Sequence, residues 1–272
     1  MHALITTLPY LTVTLIYLSV AYVYWHHGAR TQSESTLKLH TPLIAVGLIL
    51  HAYLLYGSLF QNGLNLGLTN ALSAISWLTV LIYWLTDIKH RLHSLQAFVL
   101  PPSALFVLLD GVMPSSHPIP YADQPLFLAH LIIALLAYSL FTFAALHAML
   151  MAVAERSLHN KPTFIKLPDF PPIMPMEILL FRVIAVGFVL LTFTLISGML
   201  FSEQIFHQAL KLNHKNIFTI ISWLIFGSLL VGRYVHGWRG RTAIGWTLTG
   251  FVALMLAYVG SKFVLEFVLH RV

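Results

Sequence analysis

Residues 125–154 read PLFLAHLIIALLAYSLFTFAALHAMLMAVA, a run without one Asp, Glu, Lys or Arg. Roughly 20 such residues cross the hydrocarbon core of a bilayer as a helix. Lipid offers the backbone no hydrogen-bond partner, so a spanning segment must satisfy its own N–H and C=O groups as a helix or close into a barrel. Barrel strands alternate apolar and polar residues; this run is continuous, so it reads as a helix.

Seven more runs surround it. We place the eight spans near 3–25, 41–60, 66–86, 96–111, 125–154, 177–201, 215–233 and 243–269. The fourth is short and carries Pro101 and Pro102, which predicts a kink or a partly re-entrant segment. Across the chain 58% of residues are hydrophobic, 9% are charged and the mean hydropathy is +0.81, where a soluble domain carries about 25% charged residues. The expectation is an all-α polytopic bundle forming one integral membrane domain over 1–272. The first run has no Lys or Arg before it and exceeds the length of a signal-peptide core, so it reads as a retained span.

Charge sets the orientation. Arg30 and Lys38, Lys89 and Arg91, then Arg156, Lys161 and Lys166, then Arg233, Arg239 and Arg241 occupy alternate gaps. The positive-inside rule makes those gaps cytoplasmic and leaves both termini outside. The opposite face receives Lys211, Lys215 and Arg271, while Asp110 and Asp123 fall in the fourth gap. The net charge of +6 is thus explained by topology and anionic headgroups rather than by nucleic acid. Inside the last span, Lys262 and Glu266 sit at i, i+4 and read as an ion pair.

The chain has no Cys and fifteen His. Disulfides, thiolate metal sites, iron–sulfur clusters and covalent haem attachment are therefore excluded, and any metal or haem relies on imidazole. His130 lies just inside the outer end of span five. His214 follows Asn213 at the start of span seven, where the positive end of the helix dipole favours neutral imidazole. His270 follows span eight. The eight-span topology brings all three to one membrane face. Taken alone, His130 reads equally well as an interfacial His, His214 more readily as a solvated residue at a helix start, and His270 as a solvated terminal His. Lys215 is placed to pair with an anion such as a haem propionate. Trp223 lies deeper in span seven, as a packing or ligand-wall residue. His51, central in span two, is an intramembrane alternative that would either ligate a cofactor or hydrogen-bond across helices. His147 reads as helix–helix hydrogen bonding, and Glu177 as an acidic residue at the start of span six. There is no G-x-S-x-G, H-E-x-x-H or P-loop pattern, so hydrolytic chemistry has no motif to stand on.

Several stretches resemble the cytochrome c assembly proteins. They are 176–188 (MEILLFRVIAVGF) with Ser197-Gly198, His214-Lys215 with Ile221-Ser222-Trp223, and Gly237-Trp238-Arg239-Gly240-Arg241. Ala257-Tyr258-Val259-Gly260-Ser261-Lys262-Phe263, and His130 with Ala137-Tyr138-Ser139-Leu140, add to them. The resemblance covers about 66–270. It is nearest to the YpjD-like or HemX-like branch related to CcsA and CcmC, and implies a multi-pass bacterial inner-membrane protein. In the larger relatives two external His flank a Trp-rich loop and hold haem. By that likeness His130 is the first ligand, with His214 and His270 as candidates for the second, and haem b is the implied cofactor. Between Phe201 and Trp223 this chain has no Trp, so the likeness points to haem binding, haem homeostasis or an accessory assembly role beside other assembly proteins rather than to ligase activity. The rival readings are a transporter or channel subunit for another small solute, and a cofactor-free membrane scaffold.

Overall fold

The computed structural model describes residues 2–31, 34–60, 63–90, 92–113, 124–158, 172–204 and 214–261. They form eight long helices: α1 (His2–Thr31), α2 (Glu34–Phe60), α3 (Leu68–His90), α4 (Gln96–Val112), α5 (Pro125–Leu158), α6 (Ile173–Gln204), α7 (His214–His236) and α8 (Gly240–Met255). A 3-10 turn, His93–Leu95, leads into α4, and a π turn, Leu256–Gly260, continues α8. Each helix, with its attached turn, is long and apolar enough to cross a membrane.

The bounds of two helices shift the place of acidic residues named from the sequence. The sixth helix begins at Ile173, so Glu177 lies in its second turn. The fourth continues to Val112 and takes Asp110 inside it, 2% exposed. Pro101 and Pro102 both lie within that helix, and together with its 3-10 turn the segment spans His93–Val112. Pro125 opens α5 as its first residue, where the missing N–H costs no intrahelical bond. His270, Lys211, Lys262, Glu266 and Arg271 lie outside the described residues.

The chain divides into two compact units, Met1–Pro118 with Met149–Met176, and Ile119–Ala148 with Glu177–Val272. In the first, α1 packs on α4 and α2, and α3 packs on α4 and α2. Val13, Tyr17, Val20, Val80, Tyr83 and Val99 form its centre. Gly111 admits the Tyr10 ring, which a Cβ at that position would overlap.

In the second unit α7 packs on α8 and on the π turn. Its centre is aromatic. Phe141 and Phe226 stack with ring centroids 3.9 Å apart. Gly187 faces the Phe141 ring, and a Cβ at Gly250 would stand 2.9 Å from Phe226. Lipid tails are as apolar as these side chains, so helix association depends on such close packing against small residues rather than on a hydrophobic drive. Ile49, Val189 and Val231 point outward, as expected where lipid is the solvent.

Candidate functional site

His130 is the sixth residue of α5 and Ser197 lies near the end of α6, so the antiparallel pair brings them to one end of the second unit. His130 Nδ1 and Ser197 Oγ are 2.7 Å apart. The Ser197 hydroxyl has a single proton, and it faces the Phe193 carbonyl at 2.7 Å and the Thr194 carbonyl at 3.2 Å. With that proton turned to a carbonyl, Ser197 accepts from His130 Nδ1–H, the tautomer that carries the ring's lone pair on Nε2; with it turned to the ring, Ser197 donates to Nδ1 instead. A hydrogen bond that fixes the tautomer through the other ring nitrogen is the usual support of a ligating His. Gly198 lies beside the ring, and a Cβ there would stand 3.6 Å from His130 Cε1.

Lys215, on the first turn of α7, lies within electrostatic reach of His130. Its Nζ sits 5.8 Å from the centroid of the Tyr258 ring. Tyr258 belongs to the π turn and meets Tyr138 edge-on, centroids 5.7 Å apart. Tyr138 in turn hydrogen-bonds Thr219, one helical turn below Lys215. The π turn thus sets an aromatic ring between α5 and the start of α7. Such single turns frequently mark functional positions. His214 is exposed at the first position of α7, adjacent to Lys215.

Among the described residues no three His, Cys, Asp or Glu side chains gather closely enough to hold a metal ion. Haem would demand less of the protein, because the porphyrin brings most of the iron's ligands and the chain need add only one or two side chains. One oriented imidazole, a neighbouring cation and aromatic rings are a donor set of that kind.

The other sequence candidates lie elsewhere. Trp223 is nine residues along α7 from His214, roughly 14 Å at 1.5 Å per residue. Its indole N–H donates to Thr192 Oγ1 at 2.9 Å and its ring stacks on Phe188. It lines an apolar groove of about 580 Å³ that runs along α7 to His236 and Trp238, away from His130. His51 lies in the first unit, with Nε2 3.0 Å from Ser73 Oγ and Nδ1 3.4 Å from the Tyr17 hydroxyl. In this arrangement both its ring nitrogens are engaged by hydroxyls. His147 is buried and stacks on Phe143, one turn earlier in α5.

Sequence reasoning missed a second polar group in this unit. Glu177 Oε1 is 2.6 Å from Arg233 Nη1 and 2.8 Å from Arg239 Nε. The Arg233 guanidinium also lies over the Phe181 ring and donates to the Trp238 carbonyl at 3.2 Å. Gly237 and Gly240, at φ of 67° and 52°, make the turn that brings Arg239 back toward α6. Topology explained these Arg in the sequence, and nothing there signalled that Glu177 was their common partner. Ser197 and Tyr258 were also visible only as parts of a resemblance.

The sequence profile of a family described as Cytochrome C assembly protein matches residues 36–269. Inner membrane protein YpjD of Escherichia coli K12 is 29% identical over 226 residues, which cover 82% of this chain and 85% of the relative. Cytochrome c biogenesis protein CcsA of Prochlorococcus marinus strain SARG is 24% identical over 291 residues, covering 95% and 90%. The CcsA of strain MIT 9301 is 24% identical over 265 residues, covering 87% and 85%. No solved structure matches.

Proposed function

From the premise that this chain belongs to the cytochrome c assembly protein family, as a multi-pass bacterial inner-membrane protein with a role in cytochrome c biogenesis, we propose that its second unit holds haem b at the His130 end. The observation that carries this reading is the 2.7 Å contact between His130 Nδ1 and Ser197 Oγ, a hydrogen bond that, with Ser197 accepting, would orient the imidazole to hold the haem iron through Nε2. His214, or His270 beyond the described residues, would be the second imidazole to hold it.

Bound haem would supply a redox-active iron and a planar anionic ligand. The chain's own residues do the rest. Ser197 fixes the imidazole tautomer. Lys215 neutralises a propionate. Tyr258, backed by the buried Tyr138, would offer a flat wall for a porphyrin face. This end of the unit is the outer one under the charge pattern, with both termini outside, so haem would be held where a secreted apocytochrome is accessible. The missing Trp between Phe201 and Trp223 favours binding or handing on haem over attaching it.

The test is a visible absorption spectrum of the purified protein, as isolated and after addition of haemin. The expected result is a Soret band that His130→Ala abolishes and His214→Ala weakens. A protein that stays colourless and takes up no haemin overturns the proposal. Solute flux or partner capture would then separate a transporter from a scaffold.

A further inference from the structure

Polar side chains in the first unit follow a repeat that haem handling does not use. Tyr10, Tyr17 and Tyr24 recur every seven residues on α1, and Gln96, Ser103 and Asp110 do so on α4. Seven residues are about two turns, so each set keeps to one helix face. The helices α1 and α4 pack against each other. Tyr10 and Asp110 interact electrostatically at one end of the pair. Fourteen residues of helix rise roughly 21 Å, most of a hydrocarbon core of about 30 Å.

Each end and the middle of this seam carries a buried station. At the end assigned to the outside, the Asp110 carboxylate accepts from Ser58 Oγ at 3.4 Å and from the Ser73 hydroxyl. Asn70 stands beside this group, donating to the Ser58 and Asn65 carbonyls at 3.3 and 3.2 Å. In the middle, Tyr17 and Ser73 flank His51, which is 1% exposed. At the end assigned to the cytoplasm, Asp87 Oδ2 is 3.1 Å from His93 Nδ1, and Gln96 Nε2 is 3.4 Å from His40 Nδ1. Tyr83 interacts there with Asp87 and Tyr24.

Among the described residues, six buried polar atoms in this unit have no hydrogen-bond partner: Asn70 Oδ1, Asp110 Oδ1, Tyr83 Oη, Asp87 Oδ1, Ser94 Oγ and Gln96 Oε1. Two belong to the outer station and four to the inner one. A buried polar atom without a partner costs on the order of 1–3 kcal/mol. Atoms left this way at both ends of one seam are sites for water and for a mobile proton. Buried carboxyl and imidazole groups within membrane helices are costly and are the groups from which ion paths and proton relays are built.

We propose that the first unit conducts protons along this seam, between an inner Asp87–His93 station and an outer Asp110 station, through Tyr17, His51 and Ser73. The hydrogen bonds already point one way. The Ser73 hydroxyl donates to Asp110, so Ser73 Oγ accepts from His51 Nε2–H, and His51 Nδ1 accepts from the Tyr17 hydroxyl. A proton reaching Tyr17 through internal water releases the Tyr17 proton to His51 Nδ1. His51 passes its Nε2 proton to Ser73, and Ser73 passes its own to Asp110. One proton enters, one leaves to water at Asp110, and no residue on the path ends with altered charge. Rotation of the hydroxyls and exchange of the His51 tautomer reset the chain. The direction of net flow follows the proton gradient.

The experiment uses the full chain in liposomes with a trapped pH-sensitive dye, and with potassium and valinomycin to balance charge. The wild type should collapse an imposed pH gradient faster than protein-free liposomes, whether the sodium in the medium is kept or replaced by choline. Asp110→Asn and Ser73→Ala should return the rate to that of protein-free liposomes, while Thr249→Ala, on an exposed face of α8, should not change it. Helix content by circular dichroism controls for folding, and Ser73→Ala removes one hydroxyl without adding volume. On wild-type protein alone, infrared difference spectra across a pH step should show a carboxyl stretch that Asp110→Asn removes. Wild-type flux equal to protein-free liposomes overturns the proposal. So does undiminished flux in a folded Ser73→Ala variant, or flux that requires sodium. Haemin uptake by the same preparations reports on the second unit separately.

Discussion

The two units treat polarity in opposite ways. Among the described residues, the second gathers most of its charged side chains near its ends, with His130, Lys215 and His214 at one and Glu177, Arg233 and Arg239 at the other. Between them lie stacked rings, Phe141 on Phe226 and Phe188 on Trp223. Hydroxyls buried in that middle donate to carbonyls, as Ser222 does to Gly250 at 2.9 Å and Thr247 to Ala243 at 2.7 Å. The first unit instead carries polar groups through its whole depth, from Asp110 past His51 to Asp87, and leaves several of their atoms without protein partners. An apolar centre with polar ends suits a unit that grips a flat ligand at its mouth. A polar seam from end to end suits passage of something small.

That contrast can be broken most forcibly at Glu177. Replacing it with Ala strands two guanidinium groups beside an apolar helix; breaking a buried ion pair costs about 3–5 kcal/mol, and water reaching Arg233 and Arg239, 27% and 49% exposed, keeps this loss at the low end of that range. Thermal unfolding in detergent should show the largest loss of any single change discussed, with Glu177→Gln intermediate. Next comes Gly232→Ala. The new methyl would overlap the Trp238 indole, and overpacking of that kind costs about 1–3 kcal/mol.

Smaller effects sharpen the ligand site. Ser197→Ala should leave unfolding nearly unchanged yet weaken haemin binding by roughly 10–100-fold, the usual cost of losing the hydrogen bond behind a ligating His. A haemin titration followed at the Soret band checks it. Trp223→Phe should do least. It removes the bond to Thr192, a net loss of about 1 kcal/mol, and lies too far along α7 from Lys215 to alter the spectrum of bound haem.

The fold was readable because lipid imposes simple rules. Charge-free runs such as 125–154 and alternating clusters of Lys and Arg gave eight helices, and the described residues hold eight long enough to span. Even span four, with its two adjacent prolines, is one of them. The site was only partly readable. His130 and Lys215 stood out as ionisable groups near the start of apolar runs. Ser197 did not, because a Ser in a membrane helix ordinarily bonds its own preceding turn, and it does that here as well. Tyr258 depends on a π turn that no residue pattern announces. The Glu177 cluster requires the chain to reverse at Gly237 and Gly240, a long-range consequence invisible in local spacing. The seven-residue recurrence of Tyr10, Tyr17 and Tyr24 was present in the sequence throughout. It acquires meaning only when α4, with its own seven-residue set, is seen packed on α1.

The most direct test sets the His130 and His51 imidazoles against each other. Haem content of purified His130→Ala and His51→Ala variants, measured by pyridine haemochrome and normalised to folded protein, assigns the cofactor to one unit. The account predicts that His130→Ala loses the haem and His51→Ala retains it. The reverse, with haem lost only from His51→Ala, contradicts it.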